Sequence, residues 1–231
     1  MRKIKFENNK YYHIYNRGVD KRNIFLDEKD FTRFIVSMRE FNNNSKFEER
    51  LFVKNRTNEI KQARKELSSK ALELSSFLAT LPKLVEIICY CLNQNHYHFV
   101  LQQLVDNGIK IFMHKLGTGY ANYFNIKYKH SGSLFEGPFQ AKYINNVKYF
   151  VWLSAYANGN VEIHKLAKAK NYQWSSYRDY LNLRNGTLCD KDIVMNEFNN
   201  DVKGYESFVN AVIKDCQERK DAVKEYLKEL D

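Results

Sequence analysis

The sequence predicts an α+β protein: a ferredoxin-like, RRM-like antiparallel sheet with packed helices, an inserted helical segment and a helical C-terminal tail. Three observations predict it. The hydrophobic patterns run β-α-(inserted α)-β-β-α-β-α along the chain. Two apolar runs of strand length, VEIICYCL (85–92) and HYHFVLQQL (96–104), are separated only by the polar NQN, the signature of a hairpin. The segments on either side of this hairpin repeat their apolar residues at helical spacing.

KYYHIYNR (10–17) is rich in β-formers, stops at Gly18 and reads as the first strand. Asp27 starts a helix to about Phe41, with Phe31, Phe34, Ile35, Met38 and Phe41 on one face. Polar residues then lead into an insertion spanning about 43–84. Within it Leu67, Ala71, Leu74, Leu78 and Leu81 form a narrow seam. The seam suits a helix packed on its own domain, a homodimer contact or a DNA-clamping arm. After the hairpin, Asn107 begins a helix to about Tyr128, SGSLFEG (131–137) is a loop and PFQAKYI (138–144) a strand. Asn145 or Asn146 caps the helix that carries Tyr149, Phe150, Trp152, Leu153 and Tyr156. YQWSSYRDYL (172–181) reads as a docking segment or short helix, and a charged helix covers about 204–230. The expected division is one main domain over 1–182 and a helical extension over 183–231.

Composition narrows the function. The 231 residues are 44% hydrophobic, enough for a real core, and carry no apolar run of membrane-spanning length. MRKIKFENNKYY lacks a secretory apolar stretch, so a cytoplasmic protein is expected. Cys89 and Cys91 read as strand core, and the four cysteines make no zinc pattern. The net charge of +10 favours polyanions, nucleic acid before membrane. Sixteen Tyr and 16 Phe interleave with the basic residues, which suits single strands whose bases stack on rings.

His96 and His98 are two apart on a predicted strand, so both imidazoles leave the same face while Tyr97 leaves the other. Such a pair can grip one divalent cation or can be a plain core or surface pair. Tyr156 and Asn160 lie four apart on a predicted helix, on one face. The chemistry this would serve is phosphoryl transfer. A phenol with a pKa near 10 is a poor nucleophile at neutral pH, and a cation on the scissile phosphate neutralises charge and aligns the attack. A covalent phosphotyrosine stores the bond for rejoining. Spacing alone equally suits a core tyrosine on an apolar helix.

An ordered series of segments carries a family resemblance: YHIYNRG (12–18), NIFLDEKDFTRFI (23–35), CLNQNHYHFVL (91–101), KLGTGYANYFNIKYKHSGSLFEGPFQAKYI (115–144), LSAYANGN (153–160) and WSSYRDYL (174–181). Over roughly 10–182 the chain resembles the single-tyrosine transposases of the HUH (His-hydrophobe-His) motif, in the branch of the REP-associated tyrosine transposases. The resemblance implies metal-binding at His96, His98 and Asn160, a nucleophile at Tyr156, and Mg²⁺ or Mn²⁺ as the ion. It implies cleavage and rejoining of single-stranded DNA, with hairpin or palindromic ends, through a 5′-phosphotyrosine. Mixed imidazole and oxygen donors suit Mn²⁺ at least as well as Mg²⁺. An HUH replication initiator and a non-cutting binder of hairpin DNA or RNA are the other readings.

The chain departs from the family's common pattern in places. Asn93-Gln94 stands where Met-Pro is common, and Asn160 runs into Val161 without the usual proline. Gly159 replaces an apolar residue and lowers helix propensity by about 1 kcal/mol relative to Ala, so a weakened helix end is expected at Asn160. Arg17, Arg22, Lys115 and Lys142 are the candidate phosphate contacts, and Tyr120, Tyr123 and Phe135 the candidate base-stacking rings. His13, His114, His130 and His164 have no partner spacing and are set aside as non-ligands.

Overall fold

The computed structural model describes residues 4–43 and 82–228. The seam at 67–81 lies outside them. The elements that follow are β1 (Tyr11–Arg17), α1 (Glu28–Glu40), β2 (Val85–Asn93), β3 (His96–Gln103), α2 (Gly108–Tyr128), β4 (Gln140–Ile144), α3 (Val147–Ile163), the short α4 (Tyr177–Tyr180) and α5 (Asp192–Met195), and α6 (Val202–Lys228). The sheet has the order β2-β3-β1-β4 with every pair antiparallel, the ferredoxin-like arrangement the sequence predicts.

Alternation along the strands sorts side chains into two layers. Tyr12, Ile14, Tyr90, Leu92, Tyr97, Phe99 and Leu101 join α1 and α2 in one core. Cys89, Cys91 and Val100 join α3 and α6 in the other. Burial pushes the Cys91 thiol up to about 12, an inert core sulfur as expected.

Helix α1 begins where the sequence says, because Asp27 and Asp30 form a capping box. The Asp30 carboxylate is wholly buried and also accepts from Lys127 (2.7 Å), Tyr123 (3.0 Å) and Tyr128 (2.8 Å) of α2, tying the two helices together. The turn of the β2–β3 hairpin is clamped as well. The Gln94 carbonyl accepts from the Ile24 and Phe25 amides at 2.7 and 3.0 Å, and the Asn95 carbonyl from the Gly18 amide at 2.9 Å. A Cβ on Gly18 would fall 2.3 Å from the Arg22 carbonyl oxygen, so only glycine lets the loop after β1 close on this turn. The clamp fixes where β3, and hence His96, begins.

On the opposite layer Asn146 caps α3 by accepting from the Tyr149 amide at 2.7 Å. The helix continues unbroken through Asn160 to Ile163, so neither the missing proline nor Gly159 frays it. Gly159 is a helix-helix contact: a Cβ there would lie 2.6 Å from the Ile213 side chain of α6. Tyr205 of α6 contacts Ser154 at 3.2 Å and accepts from Asn158 at 2.9 Å, and Ser176 donates to Asn158 at 2.6 Å. These bonds fix the rotation of α3 about its axis. The docking segment expected at 172–181 lies along the β2 edge, where Leu92 donates to the Trp174 carbonyl at 3.0 Å and Ser176 to the Tyr90 carbonyl at 2.9 Å. It covers an edge that would otherwise be open to pairing.

Candidate active site

The sheet face beneath α3 carries His13 and Tyr15 of β1, Asn93 of β2 and His96 and His98 of β3, and the register sets Tyr15 opposite His98, Arg17 and Asn93 opposite His96. Tyr156, Asn160 and His164 leave α3 at successive turns and come down on this face. The His98 ring meets Tyr156 edge-on with centroids 5.6 Å apart, and His96 stands perpendicular to His98 at 5.2 Å. The His164 ring lies 5.0 Å from that of His96. The paired imidazoles and the phenol therefore share one sheet face.

The environment decides the protonation of these groups. Burial, with His13, His96 and His164 nearby, holds His98 well below the usual imidazole value. Burial also lowers His96, which the Asn160 amide partly offsets. Both rings are neutral at pH 7, the state in which an imidazole can ligate a cation. Burial pushes the Tyr156 phenol above 10, and interaction with the Asn160 side chain pulls it back in part. The phenol is therefore protonated at neutral pH.

His13 was set aside on spacing, yet its Nε2 lies 2.9 Å from His98 Nδ1 in a buried pair. Burial, and then the Lys142 charge across the β1–β4 ladder, lowers His13 to about 4. His98 Nε2 makes no hydrogen bond among the described residues, so His13 orients the ring and leaves the other nitrogen for a ligand. His164 was set aside too, although it stands eight residues after Tyr156 and so on the same helix face. That spacing was the available signal; for His13 there was none, because its partner is 85 residues away.

The Asn160 side chain is wholly buried, its Oδ1 lies 3.1 Å from His96 Nε2, and its Nδ2 has no hydrogen-bond partner. Asn93 Nδ2 reaches both of those acceptors, at 2.6 Å from Asn160 Oδ1 and 2.9 Å from His96 Nε2. Neutral imidazoles and an amide oxygen fit a divalent cation of the Mn²⁺ or Mg²⁺ kind. No group of three or more His, Cys, Asp and Glu side chains suited to a metal exists among the described residues. A cation here would thus need amide oxygen among its ligands.

The other candidates divide by face. Arg17 is at the site's edge, paired with Glu136. Lys142 is exposed on β4 opposite His13. Arg22 lies on the surface against His130. Lys115 is on α2, where it donates to the Asn43 carbonyl at 3.2 Å, on the far side of the sheet. The proposed stacking rings need correction. Tyr120 is fully buried and donates to the Ile24 carbonyl, Tyr123 donates to Asp30, and Phe135 is buried against Tyr97 and Tyr120. All three belong to the α2 layer, where rings fill the core, and Tyr120 and Phe135 offer no open face. The rings beside the site are instead Tyr149 and Trp152 of α3: Trp152 stacks on Tyr156 at 5.3 Å and Tyr149 on Trp152 at 6.2 Å.

A ferredoxin-like sheet with a paired-histidine strand beneath a tyrosine-bearing helix is the architecture that results. Among solved structures it is similar to that of a REP-associated tyrosine transposase bound to a REP hairpin, with a TM-score of 0.51 and 10% identity over 82% of this chain and 93% of that one. At that identity the likeness shows the fold. No protein-family model and no curated protein matches the chain. No helix among the described residues is long and apolar enough to cross a membrane.

Proposed function

We propose that this chain is a metal-dependent transposase or endonuclease that cleaves and rejoins single-stranded DNA beside a hairpin through Tyr156. One observation carries the reading: the Tyr156 phenol, the His96–His98 pair and the Asn160 amide, from a helix and a strand far apart in sequence, meet on one sheet face. The fold shared with a transposase bound to a hairpin supports a hairpin partner.

In this reading the Tyr156 oxygen attacks the scissile phosphorus and gives up its proton. The P–O3′ bond breaks, the 3′ oxygen takes up a proton, and the 5′ phosphate remains on the tyrosine. Attack by a second 3′ hydroxyl reverses these changes and restores the phosphodiester. A divalent cation would supply charge neutralisation at the phosphate, held by His96, His98 and Asn160. His13 fixes the His98 ring, Tyr149 and Trp152 give bases a stacking rail leading to Tyr156, and Arg17 and Lys142 meet the backbone.

A non-cutting hairpin binder is the second reading, favoured by the Asn93 amide that bridges His96 and Asn160. Labelled hairpin oligonucleotides with single-stranded flanks, including sequences from the ends of the element that encodes the chain, separate the two. The enzyme gives Mn²⁺-dependent cleavage and strand transfer that chelator abolishes; the binder gives only complexes. In either case affinity should fall steeply with salt, because released counterions drive phosphate binding. Salt-independent binding would remove phosphate contacts from the account.

A further inference from the structure

The hydrogen bonds around His96 reveal a cluster of lone pairs. Asn95 Nδ2 donates to the Lys21 carbonyl at 3.2 Å, which turns Asn95 Oδ1 toward His96 Nδ1, 2.6 Å away. His96 therefore carries its proton on Nδ1 and presents a bare lone pair at Nε2. Asn160 Oδ1 faces that lone pair at 3.1 Å, acceptor against acceptor. Among the described residues the donor that bridges them is the Asn93 amide nitrogen, which serves both. Reassigning the two amides does not relieve the conflict. With both turned, Asn160 Nδ2 would serve two acceptors, and Asn93 Oδ1 would face His96 Nε2 at 2.9 Å. Asn93 and Asn160 are both wholly buried, while His96 is partly exposed.

Resting on the metal-dependent reading above, we propose that Asn93 is itself a cation ligand: its amide turns to place Oδ1 beside His96 Nε2 and Asn160 Oδ1. The spacings of 2.6, 2.9 and 3.1 Å among these atoms resemble the ~3 Å that separates neighbouring ligands bonded at about 2.1 Å in octahedral geometry. Turning the amide exchanges the nitrogen that faces His96 and Asn160 for an oxygen. The hairpin's Asn93 thus takes up a chemical role that a Met there would not have. His98 Nε2 remains available as a further donor.

The test is Mn²⁺ titration of the full chain without DNA, followed by the paramagnetic signal of free Mn²⁺ and by thermal stability. Wild type should bind and His96→Ala should not. Asn93→Leu should weaken binding at least about tenfold. Asn93→Asp should tighten it, since a carboxylate raises affinity for a hard cation, and its stability should rise more with Mn²⁺ than that of wild type. A purely structural bridge predicts the reverse for Asn93→Asp, which loses the donor. Asn93→Asp also decides the matter if Asn93→Leu fails to fold. Binding by wild type that His96→Ala abolishes, yet with no gain in Asn93→Asp, would overturn the role of Asn93 and leave the metal-dependent reading standing. No Mn²⁺ binding by wild type would remove both.

Discussion

The two faces of the sheet are buried to a similar depth, but one of them buries imidazoles and amides beside its apolar side chains. Beneath α1 and α2 the strands offer Tyr12, Ile14, Tyr97, Phe99 and Leu101, and Phe34 of α1 packs against Phe25, Tyr97, Phe99 and Tyr120. Beneath α3 the same strands offer His13, His98 and Asn93, each less than a tenth exposed. Burial of rings stabilises the fold, whereas burial of imidazoles and amides costs free energy unless each polar atom finds a partner. Both layers thus hold an apolar core, but only the α3 side also buries imidazoles and amides, and their burial depends on pairing.

Mutations should break this division of labour in a definite order. Phe34→Ala, fully buried among four rings, should cost about 3–5 kcal/mol in denaturant unfolding; a loss below 1 kcal/mol would show that the aromatic face does not carry the fold. His96→Ala should reduce Mn²⁺-dependent strand cleavage by at least about a hundredfold, ~2.7 kcal/mol of barrier, with little change in the unfolding midpoint. Gly159→Ala should destabilise by about 1–3 kcal/mol through overpacking against Ile213, the reverse of its effect on helix propensity. A more stable Gly159→Ala would mean that α6 yields at this contact.

A further test is the response to pH. His13, ordinarily at 6.5, is lowered to about 4 when folded, so the unfolded chain binds more protons between those values. Its contribution is fully present above about pH 6.5 and is lost as pH falls toward 4. The slope of unfolding free energy against pH in that window should flatten in His13→Phe. An unchanged slope would assign acid sensitivity to other groups.

How far the sequence discloses this molecule depends on the range of the contacts. Period-2 and period-3.6 patterns are local, so the strands, α1, α2 and α3 and the shared face of His96 and His98 were all legible. The Asn146 and Asp27 caps were legible for the same reason. Pairings across the sheet were not. His13 meets His98 only through the β1–β3 register. Gly159 read as a weak point because its neighbour, Ile213, comes from a helix more than fifty residues on. Tyr120, Tyr123 and Phe135 looked like stacking rings because a count of aromatics does not reveal which layer they fill. Asn93 read as a turn residue, although the ladder carries it into β2 opposite His96.

The central claim is that Tyr156 is the nucleophile. Its most direct test traps the protein on a hairpin oligonucleotide with Mn²⁺ and maps the covalent linkage by mass spectrometry of the digested adduct. A 5′-phosphate ester on the peptide containing Tyr156, absent in Tyr156→Phe, is the result expected. Cleavage that persists in Tyr156→Phe, or a linkage on another residue, would contradict it.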